Sequence, residues 1–126
     1  MSNDGKVRIL AVDDNPAKLL ALSAILSELK ETVVTASSGR EALRLLLQQE
    51  FAVVLLDVHM PGMDGYETIR AIRATPDLRS LPIIALTAKA MKGDREKCIE
   101  AGAWDYLSKP VNPDQLLAVL RAWLHR

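Results

Sequence analysis

A chain of 126 residues, 49% of them hydrophobic, is large enough to bury a core and too short for two domains of ordinary size, so a single domain over 1–126 is expected. Its 16 basic and 16 acidic residues cancel, and no Lys/Arg cluster supplies the electrostatic footprint of a nucleic-acid binder; direct nucleic-acid contact is not expected. One cysteine, Cys98, rules out an internal disulfide, and neither a secretory signal nor an apolar run near the ~20 residues that cross a bilayer is present, which points to a cytoplasmic domain without membrane contact.

Along the chain, short β-rich apolar runs alternate with stretches of helical period. Val7 to Val12 reads as the first strand and leads into Asp13-Asp14-Asn15-Pro16, where Asp14 or Asn15 suits a helix cap and Pro16 a first helical position. Val33 to Ala36 is the second strand, followed by a helix beginning near Ser38. Ala52 to Leu56 is the third and runs directly into Asp57, with a helix starting near Gly65. Ile83 to Leu86 is the fourth, ending in Thr87-Ala88 before a helix near Lys92. Tyr106 to Leu107 is the fifth, ending in Ser108-Lys109-Pro110 before a last helix from Pro113. Strict βα alternation predicts a doubly wound α/β fold, because each parallel pairing needs a crossover. The runs Ile9-Leu10-Ala11-Val12 and Val53-Val54-Leu55-Leu56 are continuously apolar, as strands covered on both faces must be, and belong in the middle of the sheet.

Ligands of such sheets bind beyond the carboxyl ends of the strands, where the winding reverses. There this sequence places three acids, Asp13, Asp14 and Asp57, with the hydroxyl of Thr87 and the ammonium of Lys109. A carboxylate closing a buried apolar strand is costly to desolvate without a partner. Two further carboxylates worsen matters: at an effective dielectric near 20, two charges ~4 Å apart repel by about 4 kcal/mol. A cation is needed, and hard oxygen ligands suit Mg²⁺. No Cys/His cluster offers a zinc alternative. Thr87, the N–H of Ala88 and Lys109 supply donors of the kind wanted around a transferring phosphoryl group.

Four segments, Ile9 to Pro16, Leu56 to Gly65, Pro82 to Ala88 and Ala101 to Pro110, resemble the receiver domains of response regulators and hybrid histidine kinases, and the resemblance covers essentially the whole chain. It implies a flavodoxin-like five-stranded parallel sheet of order 2-1-3-4-5 with five helices. It further implies that Asp57 accepts a phosphoryl group from a phosphohistidine on a histidine kinase or histidine phosphotransfer domain. Asp14, Asp57 and the backbone carbonyl of His59 are then the Mg²⁺ ligands, with Asp13 acting mainly through a bound water. Lys109 pairs with Asp57 or the phosphate, and receivers commonly hold the bond equivalent to Lys109-Pro110 cis. Thr87 and Tyr106 are the implied switch, read by an effector or a second copy through the fourth helix, fifth strand and fifth helix. Such a domain is a signalling phosphoacceptor, not an enzyme in its own right.

Other features have plainer readings. The His59 imidazole is expected to tune the site, not to catalyse. Met60-Pro61-Gly62-Met63-Asp64-Gly65 lacks dinucleotide-loop spacing and reads as turn chemistry. Cys98 reads as a packing residue, and Trp104 and Trp123 as packing residues beside a docking surface, since the last helix has more apolar positions than one buried stripe needs. Lys89, two residues past Thr87, is expected to hinder hydrolysis of the aspartyl phosphate. A flavin binder fails because Asp13-Asp14 repels phosphate. The alternative is an Mg²⁺-dependent aspartyl-phosphate phosphohydrolase, but its second Asp two positions past the nucleophile is here His59. Asp13-Asp14-Asn15-Pro16 and the stretch from Met91 to Arg95 resemble receivers of hybrid kinases, and Val119 stands where winged-helix regulators often carry a basic residue.

Overall fold

In the computed structural model, which describes residues 7–59, 65–87 and 92–124, strands and helices alternate as β1 (Arg8–Val12), α1 (Pro16–Leu26), β2 (Thr32–Ala36), α2 (Gly39–Gln48), β3 (Val53–Asp57), α3 (Gly65–Ala74), β4 (Ile83–Thr87), α4 (Lys92–Ala101), β5 (Asp105–Ser108) and α5 (Pro113–Leu124). Short 3-10 turns, Ser27–Leu29 and Pro76–Leu78, extend the chain beyond α1 and α3. All four strand pairings are parallel, in the order β2-β1-β3-β4-β5. β1 therefore sits between β2 and β3, and the winding reverses at the β1/β3 boundary, which makes the carboxyl ends of these two strands the switch point.

The apolar runs of β1, β3 and β4 divide their side chains between two cores. Leu10, Val12, Val54, Leu56, Ile83 and Ala85 pack with Ala42 and Leu46 of α2, Ile69 and Ile72 of α3, and Cys98 and Ala101 of α4. Ile9, Ala11, Val53, Leu55, Ile84 and Leu86 pack with Leu19, Leu22 and Leu26 of α1 and with Leu116 and Leu120 of α5. Alternation of side chains along a strand makes both sets possible at once, and each fully buried Leu or Ile contributes about 1.5–3 kcal/mol. Cys98 is a fully buried member of the first core, as its plain reading held.

Helix starts follow local chemistry. Asn15, not Asp14, caps α1: its side chain accepts from the N–H groups of Ala17 (2.9 Å) and Lys18 (3.3 Å), which leaves Asp14 for other work. Ser38 Oγ accepts the Glu41 N–H (3.1 Å) while Glu41 reaches back to the Ser37 N–H (2.7 Å), a reciprocal cap one residue displaced from the usual box. Asn112 accepts the Gln115 N–H (3.0 Å) at the start of α5. The strands run slightly further than the apolar pattern marks: Asp57 pairs with Leu86 and Thr87 with Ser108, so both polar residues are the last rungs of their strands, not the residues after them.

Candidate functional site

The functional side chains meet where the carboxyl ends of β1, β3, β4 and β5 converge. Asp13, immediately after β1, and Asp57, closing β3, are each about 1% exposed, and Thr87 at the end of β4 is fully buried. Asp14 lies at the solvent side. One carboxylate oxygen from each of Asp13, Asp14 and Asp57 falls within 4.8 Å of the others. Three hard anionic oxygens at that spacing fit a divalent cation such as Mg²⁺.

Two of the carboxylates, Asp13 and Asp57, are aimed by their own backbone. Asp13 Oδ1 accepts the Asn15 N–H (2.9 Å), and Asp57 Oδ1 accepts the His59 N–H (3.0 Å), two equivalent i to i+2 turns that hold the side chains at the strand ends. Lys109 Nζ donates to the same Asp57 Oδ1 at 2.7 Å, a charge-assisted bond with the carboxylate partner buried. Lys109 is itself fixed by its N–H to the Thr87 carbonyl (2.7 Å), and the Lys109–Pro110 bond is cis, as the resemblance implied. Burial pushes the Asp13 carboxyl above its ordinary range; the Asn15 N–H draws it back, the Asp57 charge adds to the rise and Lys109 opposes it.

Gly65, read from sequence as a helix start and as the end of a turn, has a second job. Its N–H donates to the Val58 carbonyl (3.2 Å), and a Cβ at this position would collide with Val58 Cα and lie 2.6 Å from the Asp57 carbonyl oxygen. α3 can begin against the backbone at the end of β3 only because residue 65 has no side chain. The sequence also gave no sign of a groove of about 530 Å³ beside the site, walled by Leu22, Ile25, Leu86 and Val111 with Lys18 and Lys109 at its polar margin. A second cavity, about 760 Å³ between Arg8, Phe51 and Pro82, lies at the amino ends of the strands and includes none of the site residues.

His59 is exposed and contributes a backbone N–H. Tyr106 is half-buried in β5, paired with Ala85, and packs against the first core. Ala88, Lys89, Met91 and residues 60–64 lie outside the described residues. The apolar excess of α5 turns inward: Val119, Trp123 and Leu124 pack against the second core, while Gln115, Ala118, Arg121 and Ala122 are exposed.

A doubly wound parallel sheet thus gathers three carboxylates and a lysine at its switch point, a site with room for a divalent cation. The chain belongs to the response regulator receiver domain family, whose model matches residues 9–121. Among relatives, it is 44% identical over 119 residues to the sensor protein GacS of Pseudomonas syringae, covering 92% of this chain and 13% of GacS. It is 41% identical over 108 residues to the histidine-protein kinase BarA of Shigella flexneri, covering 86% of this chain and 12% of BarA. The chain thus spans about an eighth of the length of these kinases. The receiver domain of sensor histidine kinase PA1611 from Pseudomonas aeruginosa, solved with a magnesium ion in its active site cleft, superposes with a TM-score of 0.89 at 39% identity, over 97% of this chain and all of that one. Among the described residues, no helix is long and apolar enough to cross a membrane.

Proposed function

We propose that the chain is a single receiver module over 1–126 in which Asp57 takes a phosphoryl group from a phosphohistidine and hands the change on to a partner surface. The observation that carries this reading is the pairing of Lys109 Nζ with Asp57 Oδ1 at 2.7 Å inside a cluster whose three carboxylates approach within 4.8 Å. An ammonium so placed neutralises a carboxylate that must stay ionised to act as a nucleophile. A carboxylate oxygen of Asp57 forms the new O–P bond as the P–N bond breaks, and the electron pair returns to the donor imidazole.

Asp14, Asp57 and the His59 carbonyl would hold Mg²⁺, with Asp13 supporting it mainly through a bound water. Bound there, the ion would supply charge neutralisation for the carboxylates and the incoming phosphoryl oxygens. Lys109, the Thr87 hydroxyl and the Ala88 N–H then hold the equatorial oxygens. Thr87 moves toward the phosphoryl group and Tyr106 follows it inward, altering the face made by α4, β5 and α5, where an effector or a second copy docks. The likeness to GacS and BarA supports a histidine phosphotransfer domain or kinase as donor. With Mg²⁺ and a small phosphodonor, the protein gains one acid-stable, alkali-labile phosphoryl group by intact mass. Labelling that survives Asp57→Asn defeats the assignment.

A further inference from the structure

The end of α4 far from the site is tied closely to its neighbours. Gly102, at φ 122°, closes it: its N–H donates to the Ile99 carbonyl (3.0 Å) and the Ala103 N–H to the Cys98 carbonyl (3.0 Å), the paired bonds of a Schellman cap. The Gly102 carbonyl accepts Arg73 Nε (2.8 Å), and Arg73 Nη1 also reaches the carbonyls of Leu78 and Arg79 (3.1 Å each). One guanidinium thus ties α3, the turn after it and the α4–β5 turn together. There is no slack: a Cβ on Gly102 would lie 2.6 Å from Arg73 Cγ.

Both tryptophans of the chain complete the cluster. The Arg73 guanidinium lies 4.9 Å from the Trp104 ring centroid, and Trp104 meets Trp123 at 5.6 Å between centroids. Trp123 Nε1 donates to Asp105 Oδ2 (3.4 Å), whose other oxygen accepts the Tyr106 N–H (2.8 Å). The start of β5 and the end of α5 are therefore joined to the same group. Within the last two turns of α4, Cys98 and Ala101 are buried while Glu96, Lys97, Ile99 and Glu100 are exposed. The other end of α4, Lys92, follows Thr87 by five residues and is the end of the helix nearer to Thr87 along the chain.

We infer that Arg73, Gly102, Trp104 and Trp123 form a fixed pivot: the C-terminal end of α4 and the start of β5 stay in place while a change at Thr87 swings the N-terminal end of α4 about Gly102. A helix of ten residues is ~15 Å long, so a small rotation at Gly102 becomes a larger displacement at Lys92. The inference rests on the phosphoacceptor reading above, and one experiment separates the two. Amide and indole N–H signals of the isotopically labelled protein are followed by NMR on addition of Mg²⁺ and beryllofluoride, a phosphoryl mimic.

The Thr87 and Lys109 amides shift, which reports that the site has been engaged, and the amides of α4 from Lys92 onward shift with them. The Trp104 and Trp123 indoles and the Gly102 and Ala103 amides do not. In Arg73→Met the same addition shifts the indoles. A wild-type protein whose indoles and Gly102 amide shift along with Thr87 overturns the pivot and leaves the site reading intact; absence of any shift at Thr87 and Lys109 overturns both. Trp104→Leu keeps the three carbonyl bonds of Arg73 and serves if Arg73→Met does not fold. The Trp123 indole then responds to the mimic, and a silent indole in the folded variant counts against the pivot.

Discussion

Asp13 carries a conflict that the site needs. Its carboxylate is almost fully buried beside Asp57, and burial with that neighbouring charge holds its carboxyl above the ordinary range. A folded-state value above the unfolded one means that the folded protein binds this proton more tightly. The ionised form therefore costs stability at neutral pH, and the cost fades as pH falls through the raised value. Asp13→Asn removes the buried charge while keeping an acceptor for the Asn15 N–H. Without metal, the variant unfolds at higher denaturant than wild type at neutral pH, by on the order of 1 kcal/mol, and the difference shrinks in acid. In the same variant Mg²⁺ binding weakens. An unchanged denaturation midpoint in metal-free buffer would show that the cluster is not strained by its own charge.

At the scale of elements, the same reasoning with opposite sign applies to α2. The Ser37 N–H holds the Glu41 carboxyl below its ordinary range, with the Ser37 hydroxyl and Arg44 helping. Stability from this cap is present above the unfolded value and is lost as pH falls through the lowered folded one. Glu41→Gln flattens the acid limb of the urea-midpoint profile, and Ser38→Ala costs about 1 kcal/mol at every pH; parallel acid limbs for wild type and Glu41→Gln would dismiss the carboxylate's role. This cap was half legible in the sequence, since Ser38 and Glu41 stand at box spacing, but the extra step back to Ser37 depends on chain direction before α2. The apolar runs marked the elements well because burial on both faces leaves no room for polar residues. Their ends were less legible: Asp57, Thr87, Asp105 and Ser108 look like loop residues and are the terminal rungs of strands, held by pairing with a neighbour distant in sequence. The Arg73 to Gly102 bond spans 29 residues and leaves no local signature at all.

Across the whole molecule, charge determines what the fold can hold. The chain is neutral overall, yet the folded site gathers three carboxylates around one ammonium, a local excess of two negative charges when all are ionised. A divalent cation cancels that excess, and because the cluster exists only in the folded state, cation binding is linked to stability. The protein therefore melts at higher temperature with Mg²⁺, by about 2.7 kcal/mol at a hundredfold excess over Kd, read as a rise of several degrees. Asp14→Asn removes one carboxylate of the cluster and diminishes this rise. Lys109→Ala acts in the opposite direction on the metal: loss of the ammonium leaves Asp57 unpaired, so the Mg²⁺-induced rise is kept or enlarged while labelling by a small phosphodonor falls steeply. That divergence separates the two halves of the site, acids for the cation and Lys109 for the phosphoryl oxygens, and a parallel loss of both properties in Lys109→Ala would show that the lysine instead holds the carboxylates in place.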